Sequence, residues 1–213
     1  MDSAVSGLIG VALGAVLAWG KDAWRERQER KRHASYLAAR LVCILYEFCN
    51  LCSEVVADDG TCQGERNPDG NLYAQVAVPD GISFPDDVDW KSIDVSLMYR
   101  ILALPSRITI INKALDFIGH AISTPPDFEE YFEERQYRYA SLALDVVDLA
   151  NELRNAYDLP DLKFEGWDPV EELRRNKSEI ERLRGERERQ HAATIRDLPP
   201  VENHQQCGDN RGS

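Results

Sequence analysis

Four cysteines in the first third of the chain have the residue type and spacing most suggestive of chemistry. Cys49 and Cys52 form a CxxC pair, and Cys43 and Cys62 lie nearby in the sequence. Four thiolates bind zinc in many structural sites, so these residues are a candidate metal site. However, the spacing C-x5-C-x2-C-x9-C matches no common zinc module, and the CxxC pair lies on apolar helix stripes where cysteine packs as a small hydrophobe. We therefore favour packing over metal binding, and favour redox chemistry least because no βαβ pattern surrounds the pair.

Carboxylates and histidines provide three weaker candidates. Acidic side chains cluster at Asp86–Asp89, but their spacing is not that of an EF-hand loop. The carboxylates within Glu129–Glu134 lie in the first turns of a predicted helix, where negative charge stabilises the helix N-terminus. Glu188–His191 matches half of the ExxH pattern of di-iron bundles, but that pattern needs a second copy on an inward face. We interpret all three as solvated charge, and the isolated His120 as a satisfied or surface histidine.

The chain contains no phosphate-binding loop, dinucleotide fingerprint, nucleophile elbow or HExxH sequence. No serine or cysteine is paired by helical spacing with a base. We therefore expect no cofactor and favour a non-enzymatic role, with a metal-dependent enzyme as an alternative. The net charge of -12 disfavours a nucleic-acid partner, because the acidic surface repels phosphate.

An uncharged run from Ala4 to Gly20 lies near the start of the chain. As a helix it would span roughly 25 Å, slightly less than a hydrocarbon core of about 30 Å. Trp19 and Trp24 flank its C-terminal end, where indole rings favour the lipid headgroup layer. A basic cluster follows, made of Arg25, Arg27, Arg30, Lys31 and Arg32. The positive-inside rule then predicts a span in the inner (cytoplasmic) membrane, with the N-terminus outside and the remaining chain in the cytoplasm.

Two other interpretations compete with this anchor. A cleaved signal peptide would need a basic segment before the apolar run, and only Met1, Asp2 and Ser3 precede it. A core helix of a non-membrane protein is the other alternative. Under the membrane interpretation, the basic cluster contacts anionic lipid headgroups, at about 1 kcal/mol per cation.

Small residues recur at every fourth position of the predicted span, at Ser6, Gly10, Gly14 and Ala18. This spacing places them on one helix face and includes a GxxxG motif, which allows two helix backbones to approach closely. We therefore expect the span to self-associate and the protein to be a homo-oligomer.

The remaining sequence predicts a helical domain. Two adjacent apolar stripes continue the first helix to Val56, and turn signals with an acidic bias then mark an irregular insertion over residues 57–92. Within the insertion, a weak alternation at Leu72–Val78 predicts one short strand or hairpin with Ile82–Phe84.

Three further helical stretches follow the insertion. A short helix from Val95 to Leu104 precedes one from Ser106 to about Ser123, which we expect to be the central buried helix. A long amphipathic helix from Phe128 to about Tyr157, with Asp127 as its N-cap, is expected to lie antiparallel to the first helix.

The predicted fold is all-α: an N-terminal transmembrane helix continues into a cytosolic antiparallel helical bundle with one long acidic loop. The predicted segments are an anchor at 1–24, a basic juxtamembrane segment at 25–33, a helical domain at 34–166, a charged helix at 167–197 and a disordered tail at 198–213. Asp168 and Pro169 are the expected N-cap and first residue of the charged helix, which either projects alone or joins a coiled coil.

The sequence therefore predicts a membrane-anchored assembly subunit that binds lipid, copies of itself and an unidentified protein partner. The alternative in a different functional class is a membrane effector, in which the glycine-rich span multimerises and perturbs the bilayer. Ser6 is the only polar residue available to line such a pore, which disfavours the effector.

Overall fold

The structure is a computed structural model that describes residues 2–161, 166 and 168–196, with side chains described for all of these except 2–19 and 23. Every regular element among the described residues is helical, which confirms the predicted all-α class. The α-helices are α1 (Asp2–Ala57), α2 (Val95–Leu102), α3 (Leu104–Ala121), α4 (Glu129–Ala156) and α5 (Pro169–Arg196), and a 3-10 turn covers Trp90–Ser92.

The α1 and α4 helices form the central packed pair. Tyr46 of α1 hydrogen-bonds to Asn151 of α4, whereas Val55, further along α1, accepts a hydrogen bond from Arg135, near the start of α4. The two helices therefore run antiparallel, as predicted. Their shared interface is built from the wide apolar face of α1 and the apolar stripe of α4, which includes Tyr139, Leu142, Val146 and Leu153. The burial of these faces is the main stabilising term of the bundle.

The α2 and α3 helices cover one side of this pair. They contribute Leu97, Ile101, Leu104, Ile108 and Leu115 to the core. The prediction that α3 is the central buried helix is wrong, because Ile110 and Phe117 on its other side are 65% and 63% exposed. Its second apolar stripe therefore faces solvent instead of packing on α1, α2 or α4.

The insertion between α1 and α2 has no β-strand among its described residues. Its only β-type pairing there is an isolated bridge between Cys62 and Glu65, so the predicted strand or hairpin is wrong. Residues 72–76 are instead held by hydrogen bonds to Gly60, to Pro126 and to the carboxylate of Asp58. These partners satisfy the backbone without a sheet.

The described residues fall into two compact units, one ending at Lys177 and one beginning at Ser178. In the first unit, Val170 and Leu173 of α5 join the core. The Asp168 carboxylate accepts a hydrogen bond from the backbone N–H of Val170 at 2.8 Å, which confirms the predicted cap. In the second unit, Arg182 forms ion pairs with Glu179 and Glu186 at 2.6 Å each.

The backbone of α1 is helical from Asp2 onward, as the sequence predicts. Among the residues that the structure describes, no helix is long and apolar enough to cross a bilayer. The predicted span falls outside the described side chains apart from Gly20. The transmembrane assignment accordingly stays a prediction, and the predicted tail at 198–213 lies outside the described residues.

Candidate binding groove and apolar face

A buried ion pair joins the end of α1 to the start of α4. The Nη1 atom of Arg135 lies 3.0 Å from Oδ2 of Asp58, and the two side chains are 0% and 2% exposed. Arg135 also donates to the backbone carbonyl of Val55 at 3.2 Å and to that of Val76 at 2.5 Å. Burying two charges is costly unless the remaining donors and acceptors are satisfied, so these extra bonds are what make the pair tolerable.

The Asp58 carboxylate organises the first part of the insertion. Its Oδ1 accepts the backbone N–H of Gly60 at 2.9 Å, and its Oδ2 accepts those of Gln75 and Val76 at 2.8 and 2.9 Å. A single side chain thus fixes both a tight turn and a distant stretch of loop. We call Asp58, Arg135 and these backbone partners the buried node.

A groove of about 760 Å³ lies beside the buried node. The insertion residues Leu72–Asp80 form one wall, the last turns of α3 form the second, and residues Phe128–Phe132 form the third. Because Val76 belongs to the first wall and also bonds to Asp58 and Arg135, the node fixes that wall relative to α4.

Two glycines make room for the aromatic side chains of the groove. A Cβ atom at Gly60, where φ is +81°, would lie 2.5 Å from Cζ of Phe132. A Cβ atom at Gly119 would lie 3.2 Å from Cδ2 of Tyr131. The first approach excludes any side chain unless Phe132 moves, and the second is closer than ordinary van der Waals contact. Glycine at both positions therefore lets these rings pack into the groove walls.

The lining of the groove carries negative charge. Asp80 and Asp116 contribute carboxylates, and no lysine or arginine is among the lining residues. Burial raises the pKa of Tyr131; Asp116, Asp58 and Tyr73 add to this shift, and Arg135 opposes it. The groove is therefore a partly apolar, aromatic site with an anionic rim.

His120 lies at the same end of α3. Its Nδ1 is 2.7 Å from the backbone carbonyl oxygen of Asp116. A carbonyl oxygen only accepts hydrogen bonds, so Nδ1 carries the hydrogen of this bond. The sequence interpretation of a satisfied surface histidine agrees with this geometry, since the residue is exposed.

A row of exposed apolar side chains runs along α2 and α3, and we call it the apolar face. It consists of Val95, Tyr99, Leu102, Ile110 and Phe117, which are between 46% and 72% exposed. Their separations of 4, 3, 8 and 7 residues are close to whole numbers of helical turns, and Ala103 between the helices has right-handed helical dihedrals. The five side chains therefore share one side of the α2–α3 segment.

Ion pairs attach this segment to α4. Arg100 pairs with both carboxylate oxygens of Glu152, and its Nη2 lies 2.8 Å from Oε1. Arg107 pairs with Asp145 at 2.5 Å. The Arg100 bonds lower the pKa of Glu152. These pairs are partly exposed, so they set the position of α2 and α3 more than they stabilise the fold.

The CxxC thiols lie in the core. Cys49 and Cys52 are both 0% exposed, and burial raises the pKa of Cys49 to about 11 and that of Cys52 well above its ordinary value. Cys43 and Cys62 are exposed. Within the described residues, no group of three or more potential metal ligands converges. The packing interpretation of the CxxC pair is the one that this burial supports.

The other acidic candidates lie on the surface. Asp87 pairs with Arg40 at 2.9 Å, and Asp89 caps the 3-10 turn through the backbone N–H of Lys91 at 3.0 Å. Glu129 and Glu130 are exposed at the start of α4. The expected N-cap role of Asp127 is wrong: Phe128, in the left-handed region with φ of +47°, precedes α4, and Asp127 pairs with Arg66 at 2.5 Å.

Among the predicted membrane-contacting residues, those with described side chains are exposed. They are Trp24, Arg25, Arg27, Arg30, Lys31 and Arg32. Arg30 pairs with Glu26 one turn earlier, at 2.7 Å. The side chains of Ser6, Gly10, Gly14, Ala18 and Trp19 lie outside the described set, so self-association through the span stays a prediction.

Sequence reasoning missed the buried node. Its only signal in the sequence is that Arg135 interrupts the apolar stripe of α4, between Phe132 and Tyr139. An arginine at a core-facing position requires a buried anion or several carbonyl acceptors, so the interruption itself pointed to a partner.

No family model, curated protein or solved structure matches this chain.

Proposed function

We propose that this protein is a single-pass, membrane-anchored helical protein that acts as a non-enzymatic assembly subunit. The predicted span attaches it to the inner membrane and self-associates through Gly10 and Gly14. The helical domain then holds a protein partner at a fixed distance from the bilayer.

The observation that supports partner binding is the apolar face of α2 and α3. Its two α3 members, Ile110 and Phe117, are 65% and 63% exposed. Exposed apolar side chains that cluster on one side of a helix mark interaction sites more often than isolated ones do. Ion pairs of Arg100 on α2 and Arg107 on α3 attach both helices to α4, so the apolar face is presented on a rigid element.

The length of α1 supports the anchoring part of the proposal. The helix continues without interruption from Asp2 to Ala57, or roughly 84 Å. The packed part of α1 begins at Ala34, and the exposed basic cluster lies between it and the predicted span. Such an arrangement would place the domain at a distance from the headgroups while the cations contact them.

The experiment measures particle mass and co-purifying protein for the full chain in mild detergent. We expect a homo-oligomer with a bound partner protein. The double substitution Gly10→Leu with Gly14→Leu should reduce the number of copies, because leucine keeps the span helices apart.

The partner protein should no longer co-purify with the Ile110→Glu variant, because this substitution places a charge in the apolar face. It should still co-purify with the Ile195→Glu variant. Ile195 is a matched control, because it is also an exposed isoleucine on a helix, at 56%. A monomer in detergent that carries no partner, or a chain absent from the membrane fraction, would contradict the proposed function.

A further inference from the structure

The groove beside the apolar face has features of a site for a planar cation. Its aromatic walls include Tyr73 and Tyr131, and its lining includes the carboxylates of Asp80 and Asp116. A guanidinium group stacks on aromatic rings and forms forked hydrogen bonds with carboxylates. An ammonium group has the charge but lacks the planar shape.

The charge balance of the groove favours a cationic occupant. The lining includes two aspartates and no lysine or arginine, and neither aspartate forms an ion pair with another described residue. Arg135, which bonds to the groove wall at Val76, is buried and already paired with Asp58. An incoming cation would therefore meet uncompensated negative charge.

The groove and the apolar face meet on the last turns of α3. Phe117 belongs to the apolar face, and its neighbours Asp116 and His120 line the groove. A partner segment that covers Phe117 would therefore place its neighbouring residues at the groove. The buried node attaches the opposite wall to α4 through the hydrogen bond from Arg135 to the carbonyl of Val76.

We propose that the groove binds the guanidinium group of an arginine presented by the partner protein. In this arrangement Tyr73 and Tyr131 stack on the guanidinium plane, and Asp116 and Asp80 accept its hydrogen bonds. The inference deepens the proposed function, since it names the chemistry of the partner that covers the apolar face.

The test uses N-acetyl-arginine amide as the probe and the full chain in mild detergent, with 3-fluorotyrosine replacing the eight tyrosines. Fluorine resonances of Tyr73 and Tyr131, assigned through Tyr→Phe variants, report binding. The controls are the citrulline amide, which has nearly the same shape but no charge, and the lysine amide, which has the charge but no planar cationic group.

We expect the arginine amide to shift both resonances with an affinity about five-fold or more above that of the citrulline amide. Asp116→Asn should weaken arginine binding about three-fold, and Asp116→Asn with Asp80→Asn about ten-fold. Asp148→Asn, an exposed carboxylate on α4 outside this groove, should leave it unchanged.

Equal affinity for the arginine and citrulline amides, or an unchanged affinity in the double variant, would overturn the inference. Equal affinity for the lysine amide would overturn the assignment to guanidinium. Ile110→Glu should leave binding of this small probe unchanged, although it should abolish co-purification of the partner protein. The two experiments can therefore refute the groove proposal and the proposed function independently.

Discussion

The buried node makes the sharpest prediction for stability. Replacing Arg135 with methionine keeps most of the side-chain volume but removes the charge, the ion pair with Asp58 and the two hydrogen bonds to backbone carbonyls. The Asp58 carboxylate would then remain as an anion in a site where its side chain is 2% exposed. That charge would then be buried without a counter-ion unless the loop opened and hydrated it.

The expected cost follows from these contacts. Removing one partner of a buried ion pair typically destabilises a protein by about 3–5 kcal/mol. Asp58 keeps three backbone N–H donors after the substitution, which stabilise its negative charge. The Nε of Arg135 is already buried without a partner among the described residues, which lowers what the pair contributes. Both facts place the expected loss near the lower end, at about 3 kcal/mol.

The assay is urea unfolding of the full chain in mild detergent, followed by far-ultraviolet circular dichroism. Arg138→Met is the matched control on the same helix, because Arg138 pairs with Glu134 at 2.6 Å and their side chains are 34% and 18% exposed, against 0% and 2% for the buried pair. We expect this control to cost less than about 1 kcal/mol. A free energy of unfolding for Arg135→Met within about 1 kcal/mol of the control would refute the reasoning.

A double-mutant cycle isolates the pair from its surroundings. Asp58→Asn removes the charge of the partner and keeps a side chain of similar size. The cost of Asp58→Asn with Arg135→Met should be smaller than the sum of the two single costs, by about 1–3 kcal/mol. Simple addition of the single costs would mean that the two charges do not stabilise each other.

Two further predictions concern residues near the groove and in the core. Gly60→Ala should lower the free energy of unfolding by about 1–3 kcal/mol more than Gly64→Ala does in the same urea assay. Both glycines have positive φ, but of the two only Gly60 lies against the ring of Phe132. Equal losses for the two variants would contradict this contact. Cys49 and Cys52 should resist iodoacetamide at pH 8 in the folded chain, because burial raises the pKa of both thiols and so lowers their thiolate fraction. Peptide mapping by mass spectrometry should find modification at the exposed cysteines of the described chain, Cys43 and Cys62, and rapid labelling of Cys49 would contradict the packing.

Local sequence signals predicted the helices well. The apolar stripes gave α1 and α4 to within a few residues, and Asp168 before Pro169 predicted the start of α5. The signals for these features come from residues within one or two turns of each other, so a short stretch of sequence is enough to reveal them.

Features that depend on distant residues were not predictable in the same way. Asp127 has the chemistry of an N-cap, but Arg66 lies within reach in the fold and pairs with it instead. The loop alternation at Leu72–Val78 resembles a strand, yet Asp58 accepts two of its backbone N–H groups. In both cases the structure depends on a partner 17 to 61 positions away in the sequence, and periodicity does not reveal such a partner.

The wrong burial assignment of α3 and the proposed docking face have the same physical origin. Apolar residues on two sides of a helix are typical of a fully buried helix, which led to the expectation that α3 is central. In the structure one side packs on α4 through Ile108 and Leu115, and no described part of the first unit covers the other side at Ile110 and Phe117. Leaving these large side chains in water forgoes about 1.5–3 kcal/mol each relative to burial. The sequence pattern predicts two buried faces on α3, and the described residues of the first unit bury one of them. This difference supports the proposal that a second molecule covers the other face.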